Sequence, residues 1–248
     1  MFGRSGKYST LAVLGCFLAL AAAMTGAAAG FFYRWDVLAL RDAFDLLRWA
    51  AYGGLGAGAV SVLGLIRSRP GSGRRGFVTA LAGVCIGAAV FWVPYDHQQT
   101  ARRVPAIHDI TTDPADPPQF RAVLPLRPDS ANSLEYGGAG LARQQRQAYP
   151  DIGPAVFDAP RDAVFSAALA TAREMGWTVV DSAADDGRIE AVATTFWFGF
   201  NDDVVIRVTE SGSGTRVDMR SVSRVGVSDV GTNAARIRAF LAVLKERA

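Results

Sequence analysis

The sequence predicts a membrane-anchored α+β protein: three transmembrane helices, then a Pro-rich extended arm, then a two-layer domain in which a four-stranded antiparallel sheet carries two helices. Three observations carry that prediction. Three long uncharged apolar runs fall in the first hundred residues, nine of the eleven prolines fall between Pro105 and Pro160, and the remaining chain alternates between helical and strand periodicity. The expected division is a transmembrane region over 1–95, an arm packed with the domain over 96–160, and the α+β domain over 161–248.

Tyr8 to Tyr33 is a run of 26 uncharged residues, Trp49 to Ile66 a run of 18 and Gly76 to Tyr95 a run of 20. A helix needs about 20 such residues to cross a hydrocarbon core roughly 30 Å thick, so spans are expected at about 8–33, 49–66 and 76–95. Lys and Arg of short loops stay on the cytoplasmic side of a membrane. The loop holding Arg67, Arg69, Arg74 and Arg75 contains no acid, and Arg4 and Lys7 mark the amino terminus in the same way. The amino end is therefore expected inside and the domain outside. Phe31, Tyr33, Trp35, Trp49, Tyr52, Trp92 and Tyr95 all fall at the outer ends of the spans, where aromatic rings favour the interface. Ala27-Ala28-Ala29 also fits a signal-peptidase site, and cleavage there leaves the domain outside. Gly54 and Gly58, with Gly83 and Gly87, have the spacing that lets membrane helices approach closely, either one another or a partner.

Charge is uneven along the chain. Met1 to Tyr95 holds 9 basic and 3 acidic residues, whereas Asp96 to Ala248 holds 17 and 20. The pI near 9.1 thus comes from segments beside the membrane, and the slightly acidic domain argues against a nucleic-acid partner. Cys16 and Cys85 both lie in apolar runs, so the domain has no thiol for a disulfide, a metal or nucleophilic attack. No span contains an ionisable residue, which argues against an ion pathway. No cofactor or metal motif is present, and His108 with Asp109, Asp113 and Asp116 fits no zinc or calcium spacing.

The proline density of the arm disfavours long helices. Beyond it, Asp162 to Met175 has Phe165, Leu169, Ala172 and Met175 at helical spacing, with Gly176 as its stop. Trp177 to Asp181 and Arg188 to Phe196 read as strands joined at Asp185-Asp186-Gly187, and Val204 to Glu210 and Thr215 to Val222 as a hairpin around Ser211-Gly212-Ser213-Gly214. Pairing Glu210 with Thr215 places Val208 against Val217 and Ile206 against Met219 on the buried face, and Arg207 against Asp218 on the other. Thr232 to Lys245 closes the domain as a helix with Ile237, Phe240, Leu241 and Leu244 on one side.

Ile107-His108-Asp109-Ile110-Thr111-Thr112-Asp113 followed by Pro117-Pro118-Gln119-Phe120 resembles the opening of the domain of unknown function 1499 family. Tyr149-Pro150-Asp151-Ile152, Gly176-Trp177, Arg188-Ile189-Glu190-Ala191, the stretch Gly199 to Arg207 and the long block Arg220 to Ile237 resemble its later segments in order. The resemblance covers about Pro105 to Ala248. It implies that arm and sandwich are one unit, that its polar blocks mark where function would sit, and that the membrane is a bacterial inner membrane, on whose periplasmic side the arginine loops place the domain. It brings no activity with it.

The segment from Arg220 to Asn233 is the leading candidate site. Arg220 and Arg224 lie on a strand that runs through Ser228 and Asp229 to Asn233 at a helix amino terminus, where free N–H groups favour an anion. The competing explanation is structural: these residues are good helix caps, and the arginines suit pairing with Asp202, Asp203 or Asp229. Asp202 and Asp203 form a possible acid/base pair, but strand neighbours point to opposite faces. Arg207 and His108 complete the secondary candidates. Phe196 to Phe200 is an aromatic run expected to pack in the core or to form a partner surface or membrane-dipping tip. The function expected is a tethered, more non-catalytic than enzymatic module that contacts membrane lipid and binds an anionic small molecule or glycan, or an envelope protein. The alternatives are a hydrolase or transferase using Asp202 or Asp229 beside Arg207, Arg220 and Arg224, and an assembly subunit of a membrane complex.

Overall fold

The computed structural model of the chain describes residues 7–127, 132–212 and 214–248. Arg4, used above for orientation, and Ser213 of the expected turn lie outside them. The chain divides into two compact units, residues 1–99 with 197–199, and residues 100–196 with 200–248.

The first unit contains α1 (Thr10–Arg34), α2 (Leu40–Arg67) and α3 (Phe77–Arg103), the last running on into the second unit. All three are long and apolar enough to cross a membrane. Ser9 caps α1 by accepting the Ala12 N–H at 3.4 Å. Two helices outrun the apolar stretches: α2 begins at Leu40 and α3 continues past Tyr95. Charge ends an apolar span without ending a helix. Within the extra turns of α2, Asp45 and Arg48 pair at 2.9 Å.

Small residues hold this unit together. Ala12, Gly15, Ala19, Ala22, Gly26 and Ala29 are buried on α1 at alternating three- and four-residue steps, and Ala50, Gly54, Ala57, Ser61 and Gly64 repeat the pattern on α2. A methyl group on Gly64 would lie 2.8 Å from the Ala12 Cα, so the two backbones are nearly in contact there. One on Gly87 of α3 would lie 2.5 Å from the Gly54 carbonyl. The predicted close approach of the second and third spans is thus realised through Gly54 and Gly87. Residues 197–199 also belong to this unit: the Trp197 indole donates to the Ala27 carbonyl at 2.8 Å, and Phe198 is buried against Phe44 with ring centres 5.4 Å apart.

The second unit follows the order β1 (Asp109–Thr111), α4 (Gly138–Ala148), β2 (Ala155–Phe157), α5 (Arg161–Glu174), β3 (Thr178–Ala183), β4 (Arg188–Thr194), β5 (Asn201–Ser211), β6 (Gly214–Ser223), α6 (Thr232–Arg247). The strands form one sheet of order β1-β6-β5-β4-β3, with β2 also paired to β6, and every pairing is antiparallel. The β5–β6 register is the predicted one, Glu210 with Thr215, Val208 with Val217, Ile206 with Met219 and Arg207 with Asp218.

The strand count corrects the prediction from four to six. The extra strands come from the arm. β6 pairs with β5 along one edge, and its other edge would leave a row of unpaired N–H and C=O groups. β1 takes the stretch Arg220 to Val222 of that edge and β2 the stretch Thr215 to Val217. The arm also contains the eleven-residue helix α4, in an interval of the sequence free of proline. Its buried Gln145 side chain closes the sheet edge: Oε1 accepts the Thr111 N–H at 3.0 Å and Nε2 donates to the Thr111 carbonyl at 2.6 Å. The strand β4 stops at Thr194, two residues short of Phe196, because Thr195 and Phe200 close a turn on each other. The aromatic run is therefore a turn between strands.

The main core lies on the face that carries α5 and α6, where Ile189, Val204, Ile206, Val208, Val217 and Met219 meet Val164, Phe165, Ile237, Phe240 and Leu244. Trp177 stacks on Phe240 with ring centres 5.4 Å apart. The opposite face is covered by the arm through a smaller core of Phe120, Val123, Val205 and Val222. The domain thus has a third layer that periodicity did not reveal.

Candidate functional site

Strand alternation distributes the candidate residues between these two faces. Arg220, Arg224, Asp203 and Arg207 lie on the face covered by the arm. Asp202 and Asn233 lie on the helix side, and Ser228 and Asp229 lie in the loop that enters α6.

On the arm side Arg220 is wholly buried. Its guanidinium grips the Asp109 carboxylate in a two-bond fork, Nε to Oδ1 at 2.9 Å and Nη2 to Oδ2 at 2.8 Å, and Nη2 also donates to the Leu134 carbonyl at 2.8 Å. Its central carbon lies over the rings of Phe120, 5.3 Å away, and Tyr136, 5.4 Å away. Burial, with the Asp109 charge second, pushes the Tyr136 hydroxyl up to about 12. A guanidinium so enclosed has its donors directed to protein acceptors.

Arg224 approaches Asp203 in the same way, with Nη2 2.7 Å from Oδ1, and donates through Nη1 to the Leu126 carbonyl at 3.0 Å. Arg127 from the arm also pairs with Asp203. Burial, more than any neighbouring charge, pulls the Arg127 guanidinium below its usual value, with Arg224 and Arg220 adding to that and Asp203 opposing it. Among the described residues three guanidiniums, Arg127, Arg220 and Arg224, thus face two carboxylates, Asp109 and Asp203. Further along the same face the balance reverses. Arg207 contacts Asp218 at 3.1 Å and Asp116 at 2.7 Å, Arg216 contacts Asp218 and Asp113 each at 2.8 Å, and two cations meet three acids. The Glu190 carboxylate, also buried on this face, accepts the N–H groups of Arg121 at 2.8 Å and Val123 at 3.0 Å.

On the helix side Asp202 pairs with Arg236 at 2.5 Å. The Asn233 side chain accepts from the Ser221 hydroxyl at 2.7 Å and donates to the His108 carbonyl and the Ser223 hydroxyl, both at 3.0 Å. Asp229 occupies the amino end of α6, accepting the N–H groups of Gly231 and Asn233 at 2.8 Å each. Its carboxyl is pushed above the usual carboxylate range, chiefly by burial. The helix terminus offered to an anion thus already holds one supplied by the chain. Ser228 accepts the Val230 N–H at 3.1 Å, and the His108 ring lies 3.4 Å from the Val227 carbonyl.

The structure therefore does not gather the sequence candidates into one cleft. It separates Arg220 and Arg224 from Asp202, Asp229 and Asn233 by the thickness of the sheet, and it turns Asp202 and Asp203 away from each other. Among the described residues no group of three or more His, Cys, Asp or Glu side chains is placed to hold a metal ion. The sequence reading missed Arg127, Arg236 and Gln145. The partners that give them their place here, Asp203 for Arg127, Asp202 for Arg236 and Thr111 for Gln145, lie 76, 34 and 34 residues away along the chain.

No curated protein matches the chain. The model of one family, described as a protein of unknown function, DUF1499, matches residues 109–244, from the first strand of the sheet to the last turns of α6. That span takes in more than half of the chain and nearly all of the network described above, and the chain belongs to this family.

Proposed function

We propose that this is a non-catalytic module, anchored in a bacterial inner membrane with its amino terminus cytoplasmic and its domain periplasmic, that binds an anionic component of the envelope. The observation that carries the reading is the excess, among the described residues, of one guanidinium at Arg127, Arg220 and Arg224, at the end of a face whose other end has an excess acid. The orientation is supported by the acid-free loop of Arg67, Arg69, Arg74 and Arg75. A phosphatase fused to the carboxyl end that is active only after export tests that placement.

Catalysis is the less favoured reading, because a general base needs a carboxylate able to reach a substrate proton. Asp202 is committed to Arg236 and Asp229 to two backbone donors. Assembly in a membrane complex has one observation in its favour: a methyl group on Gly56 of α2 would meet nothing within 4 Å, as on a helix face left open for packing. Crosslinking within the membrane tests that alternative. For the main reading, thermal unfolding of the full chain in detergent is followed with glycerol phosphate and with acidic oligosaccharides. Stabilisation that disappears in Arg224→Gln supports it; no stabilisation, or stabilisation untouched by that change, counts against it.

A further inference from the structure

We propose that the end of the sheet carrying Leu124, Leu126 and Val227 rests on the lipid bilayer that anchors the chain, with anionic phospholipid as the favoured surface. This rests on the anion-binding reading above and names the source of the anion.

Leu124, Leu126 and Val227 are 54%, 51% and 76% exposed. They gather where β6 ends. Arg224, just past β6, donates to the Leu126 carbonyl, the Asn132 side chain donates to the Gly226 carbonyl at 2.8 Å, and the His108 ring reaches the Val227 carbonyl. Isolated exposed aliphatics are ordinary on a protein surface, whereas several together at one edge mark a contact surface.

Chain connectivity names what covers them. The register pairs Thr194 with Asn201, Asp202 with Ser223 and Asp109 with Val222, so the end of β4 and the starts of β5 and β1 share that same end of the sheet. The chain passes between the two units at 99/100, 196/197 and 199/200, and each passage leads to this end. α3, which is apolar enough to cross a membrane, stops at Arg103, and residues 104–108 can span at most about 18 Å before β1 begins. The turn between β3 and β4, at the other end, has no such tether.

Charge points the same way. Among the described residues the guanidinium in excess at Arg127, Arg220 and Arg224 lies at the tethered end, Arg102 and Arg103 add two more cations in the last turn of α3, and the excess acid among Asp113, Asp116 and Asp218 lies further from it. An anionic lipid surface attracts nearby Arg side chains and repels carboxylates, so this polarity orients the domain with its aliphatic rim toward the lipid.

The test uses the full chain with Cys16→Ala and Cys85→Ala, and one new cysteine at a time, Leu126→Cys, Val227→Cys or, at the untethered end, Asp185→Cys. Each is labelled with an environment-sensitive fluorophore and reconstituted into phosphatidylcholine vesicles with or without phosphatidylglycerol, and the unfolding midpoint of each labelled protein confirms its fold. The expected result is a blue-shifted probe at 126 and 227, quenched several-fold more by nitroxide-bearing lipid than the probe at 185, and more strongly with phosphatidylglycerol. Quenching by aqueous iodide equal at all three positions overturns the proposal. Protection of 126 and 227 from both iodide and lipid quencher also overturns it, by showing a protein in the lipid's place. Equal lipid quenching with and without phosphatidylglycerol overturns the anionic preference. Lipid quenching that persists while soluble anions give no Arg224-dependent stabilisation leaves docking in place and sinks the earlier reading alone.

Discussion

The two faces of the central sheet are buried by different means. The face toward α5 and α6 is apolar, with Ile189, Ile206, Val208, Val217 and Met219 packed on Ile237, Phe240 and Leu244. Among the described residues the face under the arm has four buried apolar side chains in its core, with Leu134, Val180 and Val192 partly buried against them, and is held by ion pairs, among them Arg220 with Asp109 and Arg224 with Asp203. Apolar packing is non-directional and tolerates an alternative filling of similar volume. A buried ion pair is directional, and its desolvation cancels much of its attraction. The helix face therefore accounts for most of the stability, while the arm face fixes where the arm must lie.

The sharpest test of that contrast is Arg220→Ala. Leaving Asp109 buried without its partner is expected to cost about 3–5 kcal/mol, read as a lowered midpoint of urea unfolding of the full chain in detergent. Arg220→Met combined with Asp109→Leu is expected to recover most of that loss, and failure of the double change to recover any of it would break the comparison. Phe240→Ala on the other face is expected to cost a comparable ~3–5 kcal/mol through the cavity left beside Trp177, with no single partner change to restore it. Gln145→Ala removes both bonds at the outer edge of β1 and is expected to cost roughly 1–3 kcal/mol, with faster hydrogen exchange at the Thr111 amide as its specific sign.

The smallest effect concerns pH and Asp229. Burial raises its folded-state pKa above the unfolded value, so the native state binds a proton more readily than the unfolded state. Its charged form thus costs stability above the raised pKa. That cost is removed as pH falls from the raised value to the ordinary carboxylate value. Asp229→Asn is expected to flatten this part of the stability profile, and an unchanged slope there would show that burial of Asp229 has no energetic consequence.

The contrast also explains what could be read in advance. The β5–β6 register was legible because one alignment put apolar pairs on one face and Arg207 opposite Asp218 on the other. The divergence of Asp202 and Asp203 was legible from strand geometry alone. β1 and β2 were not, since three residues between prolines are too few to display a period of two, and their pairing is determined by the unfilled edge of β6. The small residues of α1 and α2 alternate visibly in the sequence, but alanines are so common in apolar helices that the packing face they form is marked less sharply than by the glycines of the second and third spans.

The three apolar helices, the order of the regular elements after residue 161, the principal hairpin and the family are written in the residues themselves, because each follows from local periodicity or from a contiguous motif. The conversion of the arm into two strands, a helix and a covering layer, and the division of the arginine–carboxylate pairs between the two faces of the sheet, come from the completed fold. The physical reason is range: hydrophobic period and turn chemistry act over a few residues, whereas a buried charge is satisfied by whichever opposite charge the completed fold brings within 3 Å, here from as far as 111 residues away along the chain.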